Sequence, residues 1–460
     1  MAIRSLSASV SELASTFAGE LLQPQDPGYD LARRVHNGLI DKRPALIARC
    51  GGTADIVDAV KLAQEHGLEV AVRGGGHNVA GRCTTDSGLM IDLAAMTGIR
   101  VDQQSRTAHA QGGVTWGLFN RETQLHGLAT TGGVISTTGI AGLSLGGGVG
   151  WLMSRHGLSI DNLLSVDLVL ADCRAVTASA QENPDLFWAV RGGGGNFGVA
   201  SSFEYRLHPV GPTITGGVIA YPFSQAWDVL RRFRDITASL PDELTVVAGL
   251  THAPDGSGAK VAAMVVCHCG SLADGDVAVQ PIKSYGTPAL EAIGPMPYST
   301  LNSMLDASYP RGALNYWKSS FLAALSDEAI RTMIGCFEEC PSPMGELLLE
   351  HFHGAVTRIA ATDTAFPLRM EGYNLLVLSQ WMEPKDNEAC IAWGRRSYAA
   401  MQPFMGSARY VNYMAEDDSD GAAAAYGPNH QRLRQLKAKY DPNNFFRLNQ
   451  NIVPSADNRT

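Results

Sequence analysis

The sequence predicts an α+β fold in which one domain is built from both chain ends and an antiparallel-sheet domain is inserted between them. Three observations carry this reading. Residues 71–200 hold 24 of the 49 glycines and alternate short strands with helices. From about Pro209 the texture changes to longer apolar and alternating segments of the kind found in antiparallel sheets. The last fifty residues return to a helix and a compact Asp441-Pro442-Asn443-Asn444 turn. The expected divisions are 1–208, 209–409 and 410–460, the first and last forming one unit, and 460 residues supply ample material for it.

Taken in order, Thr53 is placed to cap a helix whose Ile56, Val57, Val60 and Ala63 share a face, and Gly67 stops it. Residues 68–72 read as a short buried strand, 89–93 and 163–171 as further strands, and 184–190 as a short helix before the glycine run Gly192 to Gly195. In the middle, 216–220, 244–250, 261–268, 347–359 and 374–381 read as antiparallel strands, with amphipathic helices over 224–239 and 385–402. A last helix is expected over 429–439.

Charge and composition exclude some functions. The formal net charge is −9, and no Lys/Arg cluster has the density that nucleic acid or an anionic membrane demands. Residues 123–154 contain no Asp, Glu, Lys or Arg, long enough to cross a bilayer. Nine of them are glycine and many others Thr or Ser, so the stretch lacks the apolar density of a span. It fits better as a wall around something uncharged or anionic. The amino-terminal stretch lacks the apolar core and cleavage site of a secretion signal. Eight scattered cysteines then read as reduced thiols in a cytoplasm. Cys267 and Cys269 would share a strand face and Cys336 and Cys340 a helix face, as buried small hydrophobes. No metal site is expected.

Two glycine-rich motifs carry chemistry. In Val72-Arg-Gly-Gly-Gly-His-Asn-Val-Ala-Gly81, three glycines after a strand let backbone N–H groups turn toward one anion, because no Cβ blocks the approach. Arg73 could add charge and Asn78 a side-chain donor. A tight turn with an incidental histidine is the alternative. Thr138-Gly-Ile-Ala-Gly-Leu-Ser-Leu-Gly-Gly-Gly-Val-Gly150 offers a second run of amides, with Ser144 as a hydroxyl donor and no carboxylate to repel a diphosphate.

These residues resemble the FAD-linked oxidases of the vanillyl-alcohol oxidase group, in the branch of berberine bridge enzyme and 6-hydroxynicotine oxidase. The likeness spans nearly the whole chain. It includes Arg73 to Gly81, Asp86, Leu89 to Leu93, Gly139 to Gly150, His156-Gly157-Leu158, Asp161-Asn162 and Asp185 to Gly198. It closes with Tyr410-Val-Asn-Tyr413 and Tyr440 to Ile452.

The resemblance implies a two-part FAD-binding domain of the PCMH type (1–208 with 410–460) and a substrate domain over 209–409. It implies FAD held by Arg73, Gly74, Gly75, Gly76, His77, Asn78, Val79 and Gly81. Thr138, Gly139, Gly142, Ser144, Gly147, Gly148, Gly150, Asn449 and Asn451 complete the expected set. His77 is the implied covalent link to the flavin 8α-methyl. Members with two links carry a cysteine just before the Gly139 run, where this chain has Ile135, so a single link through His77 is expected.

Tyr410-Val411-Asn412-Tyr413 stands where the family delivers its base. On a strand, Asn412 would face away from Tyr413. Tyr413 is the favoured base and Tyr410 its understudy, the alternative being two aromatics packed at a domain interface. His351 and His353 alternate on an expected strand that the resemblance places over the flavin. They are candidates for substrate orientation or proton relay, or else a half-buried polar face. The expected activity is an oxidase that removes a hydride from an alcohol or amine carbon of a small metabolite and reduces O2 to H2O2. A dehydrogenase or oxygenase with another acceptor, or a drug-binding flavoprotein with little turnover, is the alternative. Oligomeric state and substrate are not written in the sequence.

Overall fold

The computed structural model describes residues 5–418 and 421–456. The first four residues of the stretch read for a signal lie outside the described residues, as do Ser419, Asp420 and the last four positions.

The glycine-rich first part forms two sheets. Leu46–Arg49 and Val70–Arg73 flank Leu89–Asp92 in parallel, and Glu20–Leu22 adds an antiparallel edge. The parallel pairing needs a crossover, which the helix Thr53–His66 supplies. Its Ile56, Ala59, Val60 and Ala63 are buried, and Gly67 ends it at φ 61°. Gly52 rather than Thr53 holds the N-cap position, so Thr53 is the first helical residue. Asp55, one turn in, instead accepts from the N–H groups of Ala18, Gly19 and Gly51. The second sheet is antiparallel, in the order Ile99–Asp102, Thr107–Gln111, Val199–Arg206, Leu163–Val169, Ala175–Ser179.

Every strand of the large sheet comes from between Thr213 and Trp381. Seven antiparallel strands run in the order Leu290–Pro297, Thr213–Pro222, Lys260–His268, Leu244–His252, Glu346–Phe352, Gly372–Trp381, Leu314–Leu322. Helices Ala226–Thr237, Asp327–Glu338 and Asn387–Met401 cover one face, where Val229, Leu230 and Phe233 pack with Leu347, Leu349, Leu375 and Val377. All ten residues of Gly372–Trp381 are buried, because the opposite face is covered too. That explains unbroken apolar runs in an antiparallel sheet, which when half-solvated would alternate.

Three local expectations are corrected. The strand expected over 347–359 stops at Phe352, and Gly354 (φ 65°) turns the chain into a short 3-10 helix, Gly354–Arg358. A Cβ on Gly354 would lie 2.2 Å from the Ser154 carbonyl oxygen, so the turn is fixed by a close backbone approach. Val411–Tyr413 is a 3-10 turn and not a strand. The helix before Cys340 ends at Glu338, so Cys336 and Cys340 do not share a helix face.

The carboxy-terminal segment returns to the first part. Tyr410, Met414, Tyr426, Leu433 and Ile452 are buried in one core with Trp116, Leu145, Val166 and Phe187. Among the described residues, no helix is long and apolar enough to cross a membrane. Nor does any group of three or more His, Cys, Asp or Glu side chains stand ready to hold a metal ion.

Candidate active site

A cavity of about 430 Å³ lies between the glycine-rich part and the large sheet. One wall is backbone. Gly74, Gly75, Gly76, His77 and Asn78 face Thr138, Gly139 and Gly142 across it, and Asn449 and Gln450 close that end. The two glycine motifs touch each other: a Cβ on Gly75 would fall 2.3 Å from the Gly139 nitrogen. Gly142 has nothing within 4 Å of where its Cβ would stand and is exposed to the cavity. The remaining glycines of the second motif work behind the wall. Gly147 and Gly148 have φ of 131° and 89°, and a Cβ on Gly150 would lie 1.7 Å from the Gly132 carbonyl oxygen.

Several expected contacts are spent elsewhere. Arg73 is buried against Asp92, with further bonds to the Ala32 and Arg34 carbonyls, so its charge is neutralised beneath the cradle. The Ser144 hydroxyl pairs with Tyr205 Oη at 2.8 Å. Val79 is buried, its carbonyl accepting from Asn37, and Gly81 makes a turn at φ 67° against Ile40. Neither these two nor Asn451 lines the cavity. The cation that does is Arg82, the sole Lys or Arg in that wall among the described residues. It donates to the Leu448 carbonyl at 3.1 Å, and its Nε is buried without a partner. A basic side chain four residues after Asn78 was visible in the sequence. The direction of Arg73, set by Asp92, was not.

His77 stands at the cradle's edge. Its ring stacks on His36 at 4.0 Å, with Thr137 Oγ1 2.9 Å from Nε2 and Thr138 Oγ1 3.4 Å from Nδ1. Burial first, then the neighbouring His36 and Arg311, bring its pKa down to about 3. The imidazole is therefore neutral at physiological pH, and one of its ring nitrogens carries a lone pair rather than a proton. Ile135 lines the same cavity.

The opposite wall comes from the sheet and the 410–414 turn. On Glu346–Phe352, alternation sends Glu346, Leu348 and Glu350 toward the cavity and Leu347, Leu349 and His351 toward the helices. His351 and His353 are thus placed away from the cavity, stacked on each other at 4.7 Å and buried. His353 approaches Ser154 Oγ and the Pro241 carbonyl, both at 3.4 Å. The side chains that take their place are Glu350 and Glu346. The signal the sequence offers for them is two carboxylates four residues apart, and so on one face, in a strand that is otherwise mostly apolar.

The 3-10 turn brings Tyr410 and Tyr413 together, with ring centroids 4.8 Å apart. Tyr410 does not face the cavity. Its hydroxyl oxygen accepts from Gly148 N, Val149 N and Asn412 Nδ2, tying the turn to the second glycine motif. Burial pushes its pKa up to about 12. Tyr413 faces the cavity and donates to Glu350 Oε1 at 3.0 Å. Burial, and then the Glu350 charge, raise the Tyr413 phenol well above its ordinary range. Burial also lifts Glu350, against the bonds from Asn374 and Tyr413 that hold it down, to about 7.

Known proteins resemble this chain in sequence and fold. The family described as "FAD binding domain" matches residues 44–179, and "Berberine and berberine like" matches 409–453. An FAD-linked oxidoreductase of Dictyostelium discoideum is 31% identical over 89% of both chains. (R)-6-hydroxynicotine oxidase of Paenarthrobacter nicotinovorans is 30% identical over 97% of this chain and 99% of its own. The chain belongs to the berberine-bridge-like FAD-linked oxidoreductases. The solved 6-hydroxy-D-nicotine oxidase of Arthrobacter nicotinovorans agrees with it at a TM-score of 0.87 and 29% identity, over 96% of this chain and 99% of that one. Berberine bridge enzyme shares the fold, with a TM-score of 0.86 at 22% identity over 98% and 99% of the two chains.

The residues of this FAD-linked oxidoreductase fit the cofactor. The cradle presents Cβ-free backbone, Arg82 as a cation in its lining and no carboxylate, a set that suits a diphosphate. Both carboxylates of the cavity belong to the large sheet.

Proposed function

We propose that this oxidoreductase oxidises a small metabolite at an alcohol or amine carbon, transferring two electrons and two protons overall to O2 to give H2O2. Its FAD is held covalently through His77 alone. The observation that carries this reading is a single cavity with a neutral histidine beside a backbone cradle at one side and a Tyr413–Glu350 pair at the other.

Bound FAD supplies the two-electron oxidant. The chain's own residues bind, position and move a proton. The Gly74–Gly76 and Gly139–Gly142 backbone, with Arg82, holds the diphosphate. His77, kept neutral by burial, contributes the nitrogen that forms the bond, and Ile135 offers no thiol for a second one. Glu350 takes the substrate's proton. A carboxylate near neutral pKa is suited to that work, because it is ionised and still basic at operating pH. Tyr413 keeps its own proton and orients the Glu350 carboxylate. The base role therefore passes from the tyrosine to its partner.

Acid precipitation tests the link: the pellet stays yellow, and His77→Ala releases the colour to the supernatant. A colourless pellet from the parent protein overturns covalent attachment. Peroxide equal to the substrate consumed in air tests the choice of acceptor.

A further inference from the structure

Four features of the sheet side of the cavity bear on what occupies it. Glu346 and Glu350 stand two side-chain positions apart on one strand face. Glu346 accepts from Thr251 and Tyr309, and Glu350 from Asn374 and Tyr413, so each carboxylate oxygen takes one bond and keeps a lone pair. Three aromatic rings form a row beside them, Tyr309 to Trp317 and Trp317 to Tyr413 each at 6.2 Å between centroids. The row's two ends are the hydroxyls bonded to the two carboxylates. No Lys or Arg of the described residues lines this side, Arg82 being part of the cradle segment. Most of the remaining wall is aliphatic, including Val218, Val247, Val265, Leu348, Leu376 and Leu378, with Thr251, His252 and Ser308 as its polar members.

We propose that the substrate is an organic ammonium, a protonated amine on an apolar body, its cation held by the Glu346/Glu350 pair and the Tyr309–Trp317–Tyr413 row. This names the substrate class of the oxidase reading and rests on it. An anion would meet two carboxylates and no countercharge. A polyol would press most of its hydroxyls against aliphatic side chains and lose their bonds to water. A cation gains from both the carboxylates and the ring faces, and its apolar body suits the strands.

The test uses holoenzyme and probes that need no turnover: phenyltrimethylammonium, its neutral carbon isostere tert-butylbenzene, and xylobiose, each titrated by calorimetry. The ammonium should bind at least about tenfold tighter than the isostere. Glu346→Gln should erase most of that preference while leaving tert-butylbenzene unchanged, and Trp317→Leu should reduce it. Equal binding of cation and isostere, or xylobiose as the tightest ligand, overturns the proposal. Because no probe is oxidised, a lost cation preference in protein whose acid pellet stays yellow refutes only this inference. An intact preference without peroxide refutes only the oxidase reading.

Discussion

The Tyr413 hydroxyl donates to Glu350, and that direction decides what each group can do. A phenol that keeps its proton and points it at a carboxylate is not poised to take another; the carboxylate is. Glu350 at about 7 must be ionised to act, so flavin reduction should rise with pH through that region and level off above it. The Tyr413 bond stabilises the charged form, so removing it raises the Glu350 pKa further. Tyr413→Phe should move the rising limb to higher pH and largely keep the plateau. Glu350→Gln should lower the plateau by about 10²-fold and abolish the limb. Stopped-flow reduction under anaerobic conditions, from pH 5.5 to 9, checks both. Loss of the plateau in Tyr413→Phe with retention in Glu350→Gln would return the base to the tyrosine.

The glycine motifs act as elements, and their two halves answer substitution differently. Gly75 faces backbone, its added Cβ 2.3 Å from Gly139 N, whereas Gly142 faces open cavity from within the helix Ile140–Leu145. Gly142→Ala should leave the FAD-free protein as stable as the parent, or more so by up to ~1 kcal/mol through helix propensity, while lowering FAD occupancy. Gly75→Ala should lower both, because two backbones must part. Melting of FAD-free protein beside flavin absorbance per chain separates the cases. The same elements show what a sequence discloses. Missing Cβ atoms and missing charges are properties of the chain itself, so the cradle was legible from 71–81 and 138–150. In Leu347-Leu348-Leu349-Glu350-His351-Phe352-His353, apolar residues occupy both parities, so hydrophobicity does not say which one meets the cavity, and the two histidines stand on the parity opposite Glu350. The 410–413 segment departs from the expected strand because the determinants of its turn are remote: Asn412 donates to the Leu143 carbonyl, and Tyr410 accepts from Gly148 and Val149.

At the scale of the whole molecule, the cavity exists only where separate stretches of chain are held together, and one buried ion pair holds a seam of it. Arg369, in the connection between the large-sheet strands Glu346–Phe352 and Gly372–Trp381, forks onto Asp161 at 2.7 and 2.8 Å, the two side chains 3% and 5% exposed. Asp161 also accepts from Leu158 N, and its neighbour Ser159 donates its N–H to the Gly148 carbonyl. Gly148 in turn donates to Tyr410. The pair therefore braces the back of the second glycine motif against the turn that carries Tyr413. Removing one partner leaves a buried charge uncompensated, a far larger loss than the pair's net worth. Arg369→Met, close in volume, should destabilise the protein by about 3–5 kcal/mol. Adding Asp161→Asn should recover much of that, since the amide oxygen still accepts from Leu158 N and no charge is stranded. Urea unfolding of parent, single and double variants checks this. A double variant no more stable than Arg369→Met would mean that the fork geometry, and not the unpaired charge, sets the cost.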